Sequence, residues 1–346
     1  MALHREAKTA SIRLLCTLPL SLAATPASAQ SSGADLPVEG PSPPAAAPVS
    51  ATSEPPAPPE PPSAPARWEL ATTLSGSVYT IHVTQEGFQL PDQSGKSGSI
   101  TAGPIVYLTP VIDDDAPRSL QPFLQRTSTV SATITGDGFI TESASRAFTR
   151  KSSLIGLSAG VDRYVTRGFA LTGGLGYSYS ALHDGEVTHA HGLSASAGFG
   201  VRLGDVRLDA SYTFDARDLD GTFATVRWGT VNAAAYAVVA KSVVLRLYGL
   251  ISDGGGGGGG SVGYYTTKDI GLFLGGSGRA FVYYLPEVHS HSFSGWAGIS
   301  CWATPSARVY GTYSLNINQT PAQPGRLTQA DTIEHALSVS VNVRIP

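Results

Sequence analysis

The chain has 346 residues, of which 14% are charged, well below the roughly 25% of ordinary soluble domains, and it carries 39 glycines. A formal net charge of -3 provides no basic field for nucleic acid, and two cysteines exclude a disulfide scaffold. No stretch approaches the ~18 consecutive apolar residues of a membrane helix.

Residues 1–29 begin with Arg5, Lys8 and Arg13, run apolar from Leu14 to Ala24, and finish in Ala27-Ser28-Ala29 before Gln30. A basic head, a short apolar run and a small-x-small exit predict a secretory signal peptide. The run is too short for a membrane span and contains Pro19, and Leu15 before Cys16 argues against lipid attachment. With Cys16 inside the signal, the exported remainder keeps Cys301 alone and forms no internal disulfide.

Residues 30–66 hold twelve prolines among Ala and Ser, with Asp35, Glu39, Glu54 and Glu60 as their charges. Too little apolar surface is present to offset chain entropy, so this part is predicted to be a disordered spacer in the periplasm. In polyproline II form it would reach about 100 Å. Its two readings are a spacer touching peptidoglycan and a tolerated low-complexity tail.

From Arg67 onward, 21 acidic residues face 20 basic ones and candidate strands follow one another. The first covers about Trp68 to Val83. A second, Ile100 to Ile112 after a polar loop from Gln89 to Ser99, contains Pro104 and Pro110, awkward residues for a central strand. The segment Asp113 to Arg126, with Leu120, Phe123 and Leu124, reads as a periplasmic connection, either a short interfacial helix or an inward-folded plug.

The clearest early signal is Phe169 to Leu203. Phe169, Leu171, Leu175, Tyr177 and Tyr179 alternate with Ala170, Thr172, Gly176 and Ser178. After His183-Asp184-Gly185-Glu186 the alternation resumes as Leu193, Ala195, Ala197, Phe199 and Val201 against Ser194, Ser196, Gly198, Gly200 and Arg202. Successive side chains in a strand point to opposite faces, so one face is apolar and the other small and polar. Water-facing strands would carry Lys and Glu there. Long strands with apolar outer faces, polar inner faces and an aromatic rim are the pattern of a transmembrane barrel.

Later strands repeat it, most cleanly Val309–Ile317 and Ile333–Ile345, whereas 222–239, 262–274 and 279–287 are weakly phased. The glycine run Gly254–Gly260 is predicted to be an outer loop; no Gly-Lys-Ser/Thr follows, so it is not a phosphate loop. The predicted fold is a single all-β domain over 67–346: a transmembrane antiparallel up-and-down β-barrel of about fourteen strands, with roughly twelve to sixteen as the range.

At this point the chain resembles bacterial outer-membrane β-barrel proteins of porin-like architecture. The resemblance covers 67–346 and the export signal, and it rests on alternation, an aromatic rim and a final strand. It implies outer-membrane lipid, lipopolysaccharide and the barrel-assembly machinery as partners. Such families usually end in an aromatic residue read by that machinery; this chain departs, ending Arg344-Ile345-Pro346. The block Asp113 to Gln125 is similar to a segment of uncharacterised barrels and implies no activity.

Three places in the chain carry residues suited to chemistry. His189-x-His191 and His289-x-His291 place two rings on one strand face, as a metal requires. However, His189 and His191 share the outward phase of Leu193, as His335 shares that of Leu337, so neither a metal site nor a cofactor is expected. Abundant Ser with His183-Asp184 allows an outer-membrane hydrolase, but no serine is marked by a nucleophile elbow. The inward set is more informative: Arg202, Arg207, Arg246, Arg308 and Arg344, with Asp162 and Asp209, all lie close to predicted periplasmic turns or the C-terminus. A ring of arginines in a narrow polar duct favours anions. The competing reading is an Arg–Asp lattice that fills the interior.

The expected function is therefore a passive channel for small polar solutes or anions in the outer membrane, rather than an enzyme. A structural or surface-interaction barrel with a sealed lumen is the alternative.

Overall fold

A computed structural model describes residues 65–85, 88–89, 91–143, 149–184, 186–219, 224–240, 242–252, 255–284, 287–320 and 328–346. The expected signal peptide and all but the last two residues of the spacer lie outside them. Fourteen long strands follow one another: β1 (Ala66–Gln85), β2 (Gln93–Val111), β3 (Thr129–Ser143), β4 (Thr149–Tyr164), β5 (Phe169–Asp184), β6 (Glu186–Leu203) and β7 (Val206–Leu219). The second half is β8 (Ala224–Val239), β9 (Val243–Ser252), β10 (Gly255–Tyr265), β11 (Ile270–Tyr284), β12 (Glu287–Thr304), β13 (Ala307–Thr320) and β14 (Thr328–Ile345).

Each strand pairs antiparallel with the next, and β1 closes on β14 from Trp68↔Ile345 to Gln85↔Thr328. Closure removes both sheet edges, which is what lets strands stand in lipid. The register gives the tilt. Starting at Val187 on β6 and stepping from partner to partner through Lys151, Val78, Gly260 and Leu208, one circuit returns to β6 at Val201, fourteen residues along. At about 3.3 Å per residue and about 4.8 Å per strand, that stagger inclines the strands about 35° to the axis.

The two faces follow from the alternation. Large apolar side chains stand outward and open, with Leu175 69%, Leu193 63% and Ile251 72% exposed, as a wall solvated by lipid requires. The described inner face carries rows of hydroxyls, with cross-strand pairs Thr73–Ser340 at 2.8 Å, Ser77–Ser97 at 2.7 Å, Thr101–Thr135 at 3.2 Å and Ser277–Ser294 at 2.6 Å.

Two expectations are corrected, and a predicted strand holds despite its prolines. The polar stretch before Ile100 is wall from Gln93 onward, because Ser97 and Ser99 continue the inner hydroxyl rows. Gly255–Gly260 is strand β10, not an outer loop, and is fully paired to β9 and β11. A glycine run has no side-chain period to read, yet its backbone can complete both ladders. At Gly259 the inner side of the wall is filled: a Cβ there would sit 2.4 Å from the Gly276 carbonyl oxygen. Finally, β2 is a central strand despite its prolines. Its ladder to β3 skips from Ala102↔Ile134 to Ile105↔Ser131, so Pro104 breaks the pairing only locally. Pro110 lies beyond the last β2–β3 pair, Tyr107↔Thr129.

The main apolar core sits at the end carrying the short turns. There Leu120, 1% exposed, packs with Val238, Val244, Tyr265 and Phe273. Leu120 belongs to the connection between β2 and β3, which turns inward.

Candidate functional site

The connection, residues 112–128, starts with an Asx-type turn in which the Asp114 carboxylate accepts a hydrogen bond from the Ala116 amide at 2.9 Å. One helical turn follows, α1 (Gln121–Leu124), with Pro122 in its first turn where no N–H is needed. Arg126, at φ 57°, ends it, and Thr127 donates its amide to the Pro122 carbonyl at 2.9 Å. Of the two sequence readings the inward-folded plug holds, and its one helical turn is buried in the mouth and not at the membrane interface.

Side chains from around the barrel hold the plug. Arg344 on β14 donates to the Arg118 carbonyl at 2.9 Å and to Gln121 Oε1 at 3.2 Å. Its guanidinium also pairs with buried Glu69 at 3.1 Å and lies 4.4 Å over the Trp302 ring. Trp302 in turn donates its indole N–H to Ser119 Oγ at 3.0 Å. On the opposite wall Arg202 donates to the Phe123 carbonyl and stacks 4.4 Å over the Phe123 ring. Arg126 reaches the Arg167 carbonyl in the β4–β5 turn at 2.7 Å.

A charged latch ties the plug to the β10–β11 turn. Asp113 pairs with Lys268 at 2.7 Å and with Arg118 at 3.3 Å, and Arg118 also pairs with Asp269. Burial pushes the Asp113 carboxyl upward, but hydrogen bonds from Lys268, Gln121 and Arg118 and the Arg118 charge outweigh it and hold the pKa down at about 2.

The seven predicted site residues fall into four sets. Arg202 and Arg344 grip the plug. Arg207 is bound to Asp162 at 2.7 Å, Asp209 at 2.8 Å and the Tyr164 hydroxyl at 3.1 Å, a lattice within the wall. Arg308 donates to buried Ser300 at 2.7 Å and stacks on Tyr310. Arg246 contacts the rings of Tyr236 and Tyr248. Register joins several of them in one row, Arg202↔Arg207↔Tyr236↔Arg246.

Sequence reasoning missed Glu69, Tyr107, Asn342 and Trp302. Glu69 accepts from Tyr107 at 2.8 Å and from Asn342 at 2.5 Å as well as from Arg344. The signal was present: Glu69 lies in the inward phase between Trp68 and Leu70, and Asn342 between Val341 and Val343.

The histidines stand elsewhere. His191, His189 and His335 hydrogen-bond through Nδ1 to the hydroxyls of Tyr177 at 2.9 Å, Tyr179 at 2.6 Å and Tyr313 at 2.6 Å, each a cross-strand neighbour in the outward phase. His82 pairs with Asp92 at 2.9 Å, both exposed. The side chain of His289 lies outside those described.

No family model matches the sequence, and no curated protein does. Solved structures match in fold. The Pseudomonas putida toluene transporter TodX superposes with a TM-score of 0.55 at 12% identity, over 82% of this chain and 91% of that one. A Pseudomonas aeruginosa FadL homologue gives 0.55 at 10% identity, over 80% and 90%. A TodX deltaS2 mutant, described as a monoaromatic hydrocarbon channel, gives 0.53 at 10%, over 82% and 91%. The chain has the fold of a bacterial outer-membrane β-barrel. Its closed ladder and open apolar outer face are those of a wall lying in an outer membrane, and among the described residues no helix is long and apolar enough to cross one.

Proposed function

We propose that this barrel is an outer-membrane channel for small polar solutes, anions included, gated by residues 112–128 at its periplasmic mouth. The observation that carries the reading is the division of the interior. A shaft lined by rows of hydroxyls, with Asp137, Arg150, Arg217 and Glu334 also on its inner face, ends at a separate segment held by reversible hydrogen bonds and ion pairs. The layer next to the plug sets five arginines against the carboxylates of Glu69, Asp162 and Asp209, an excess that favours anions. Short turns are periplasmic in such barrels, and in this reading the plug faces that side and the 30–66 spacer extends from it. The likeness to TodX is in keeping with transport, though a hydroxyl-lined interior suits a polar cargo better than a hydrocarbon. The Tyr–His pairs of the outer rim are read as facing lipopolysaccharide headgroups.

Planar-bilayer recording tests the gate. The whole chain should give small or rare steps, and a variant with residues 113–124 replaced by a Gly/Ser linker of equal length should give steps several-fold larger. A second reading, a sealed structural barrel, is favoured by the number of bonds that hold the plug. Leak-level current in both proteins would establish it and overturn the channel.

A further inference from the structure

Of the five arginines in the layer next to the plug, four are committed. Arg202 and Arg344 bind plug carbonyls, Arg207 binds two carboxylates, and Arg308 binds Ser300. Arg246 is different. It is half-buried on β9, its Nε is buried without a hydrogen-bond partner, and among the described residues no carboxylate lies within ion-pair distance. Asp209 is near enough to feel its charge but is hydrogen-bonded to Arg207 instead.

What holds Arg246 is aromatic. Its guanidinium carbon lies 5.2 Å from the Tyr236 ring centroid and 5.4 Å from that of Tyr248. Two π faces stabilise the cation and restrict its orientation without using its N–H donors. A half-buried guanidinium with its Nε unmatched is unfavourable, and a carboxylate supplies the charged acceptor that the surrounding residues do not. Tyr236 lies on the plug side, with its ring 6.4 Å from that of Phe123, so the position is just above the closed mouth. The register partner of Arg246 on β10 is Ser261, a small polar residue.

We propose that Arg246, flanked by Tyr236 and Tyr248, is the lumen's binding point for small organic carboxylates, the tyrosine rings accepting the apolar body. This deepens the channel reading, on which its role in passage rests, but binding is measured separately from conduction.

Isothermal titration of the detergent-folded full chain with benzoate should show saturable binding, with the neutral benzyl alcohol bound at least about ten-fold more weakly. Arg246→Gln should lower benzoate affinity by about ten- to a hundred-fold, while Arg246→Lys should stay between that variant and the wild type, and Arg67→Gln, at an exposed position, should change nothing. Equal affinity for benzoate and benzyl alcohol, absence of saturable binding, or undiminished binding by Arg246→Gln would overturn the proposal. The alcohol comparison decides even where Arg246→Gln fails to fold. A protein that binds benzoate but passes no current refutes only the channel, and one that conducts without binding refutes only this site.

Discussion

Asp113 shows how one carboxylate can help to hold the plug in place. Its pKa in the folded chain, about 2, lies below the ordinary value of about 3.9. A carboxyl depressed by folding contributes stability that is fully present above the unfolded pKa and is lost as pH falls through the folded one. The latch to Lys268 and Arg118 should therefore hold from neutrality down to about pH 4 and fail only towards about pH 2. Amide exchange of residues 113–126, corrected for intrinsic rate, is expected to stay flat over the upper range. In Asp113→Asn it should rise about ten-fold at neutral pH; a slow rate in that variant would show that the latch does not hold the plug. Arg344 and Glu69 play a deeper version of the same part. Both are buried, and losing either partner would strand a charge at a cost of about 3–5 kcal/mol.

Among elements, β10 is the one whose pattern least resembles its role. Six consecutive glycines offer no alternation, so nothing in 255–260 announces a strand, and the pairing comes wholly from Leu247–Ser252 and Gly276–Phe281 on either side. Its inner positions have become obligatory. A side chain at Gly259 would meet the Gly276 carbonyl at 2.4 Å and the Tyr248 hydroxyl at 2.7 Å, whereas a Cβ at Gly295 on β12 meets nothing within 4 Å. Gly259→Val should cost about 1–3 kcal/mol or more, seen as a lowered temperature for loss of the compact, heat-modifiable form on gels. Gly295→Ala should change that temperature little, and equal effects in the two would mean that the wall yields at β10. The plug makes the reverse case. Its Leu120, Phe123 and Leu124 were visible as an apolar cluster between two strands, but which side of the mouth they would occupy depended on partners brought from β6, β9, β11 and β14.

Across the whole molecule, the barrel and the spacer are expected to act independently, since 30–66 has too little apolar surface to pack against anything. A chain lacking 30–66 should fold into the same barrel and conduct alike, while losing retention on peptidoglycan in a pull-down; equal retention with and without the segment would remove the tether role. The outward and inward faces, the strand count and the membrane setting were all legible in the sequence, because period-two alternation in Phe169–Leu203 or Ile333–Ile345 is a local property that lipid outside and polarity inside impose residue by residue. The inward phase of the seven charged residues was legible for the same reason. Their partners were not. Glu69 meets Arg344 only because β1 closes on β14 across 275 residues of chain, and Arg118 meets Asp269 only because a loop folds back into the mouth. Which arginines are consumed and which is left among tyrosines is a matter of closure, stagger and plug placement, and those arise from long-range pairing that no local pattern encodes.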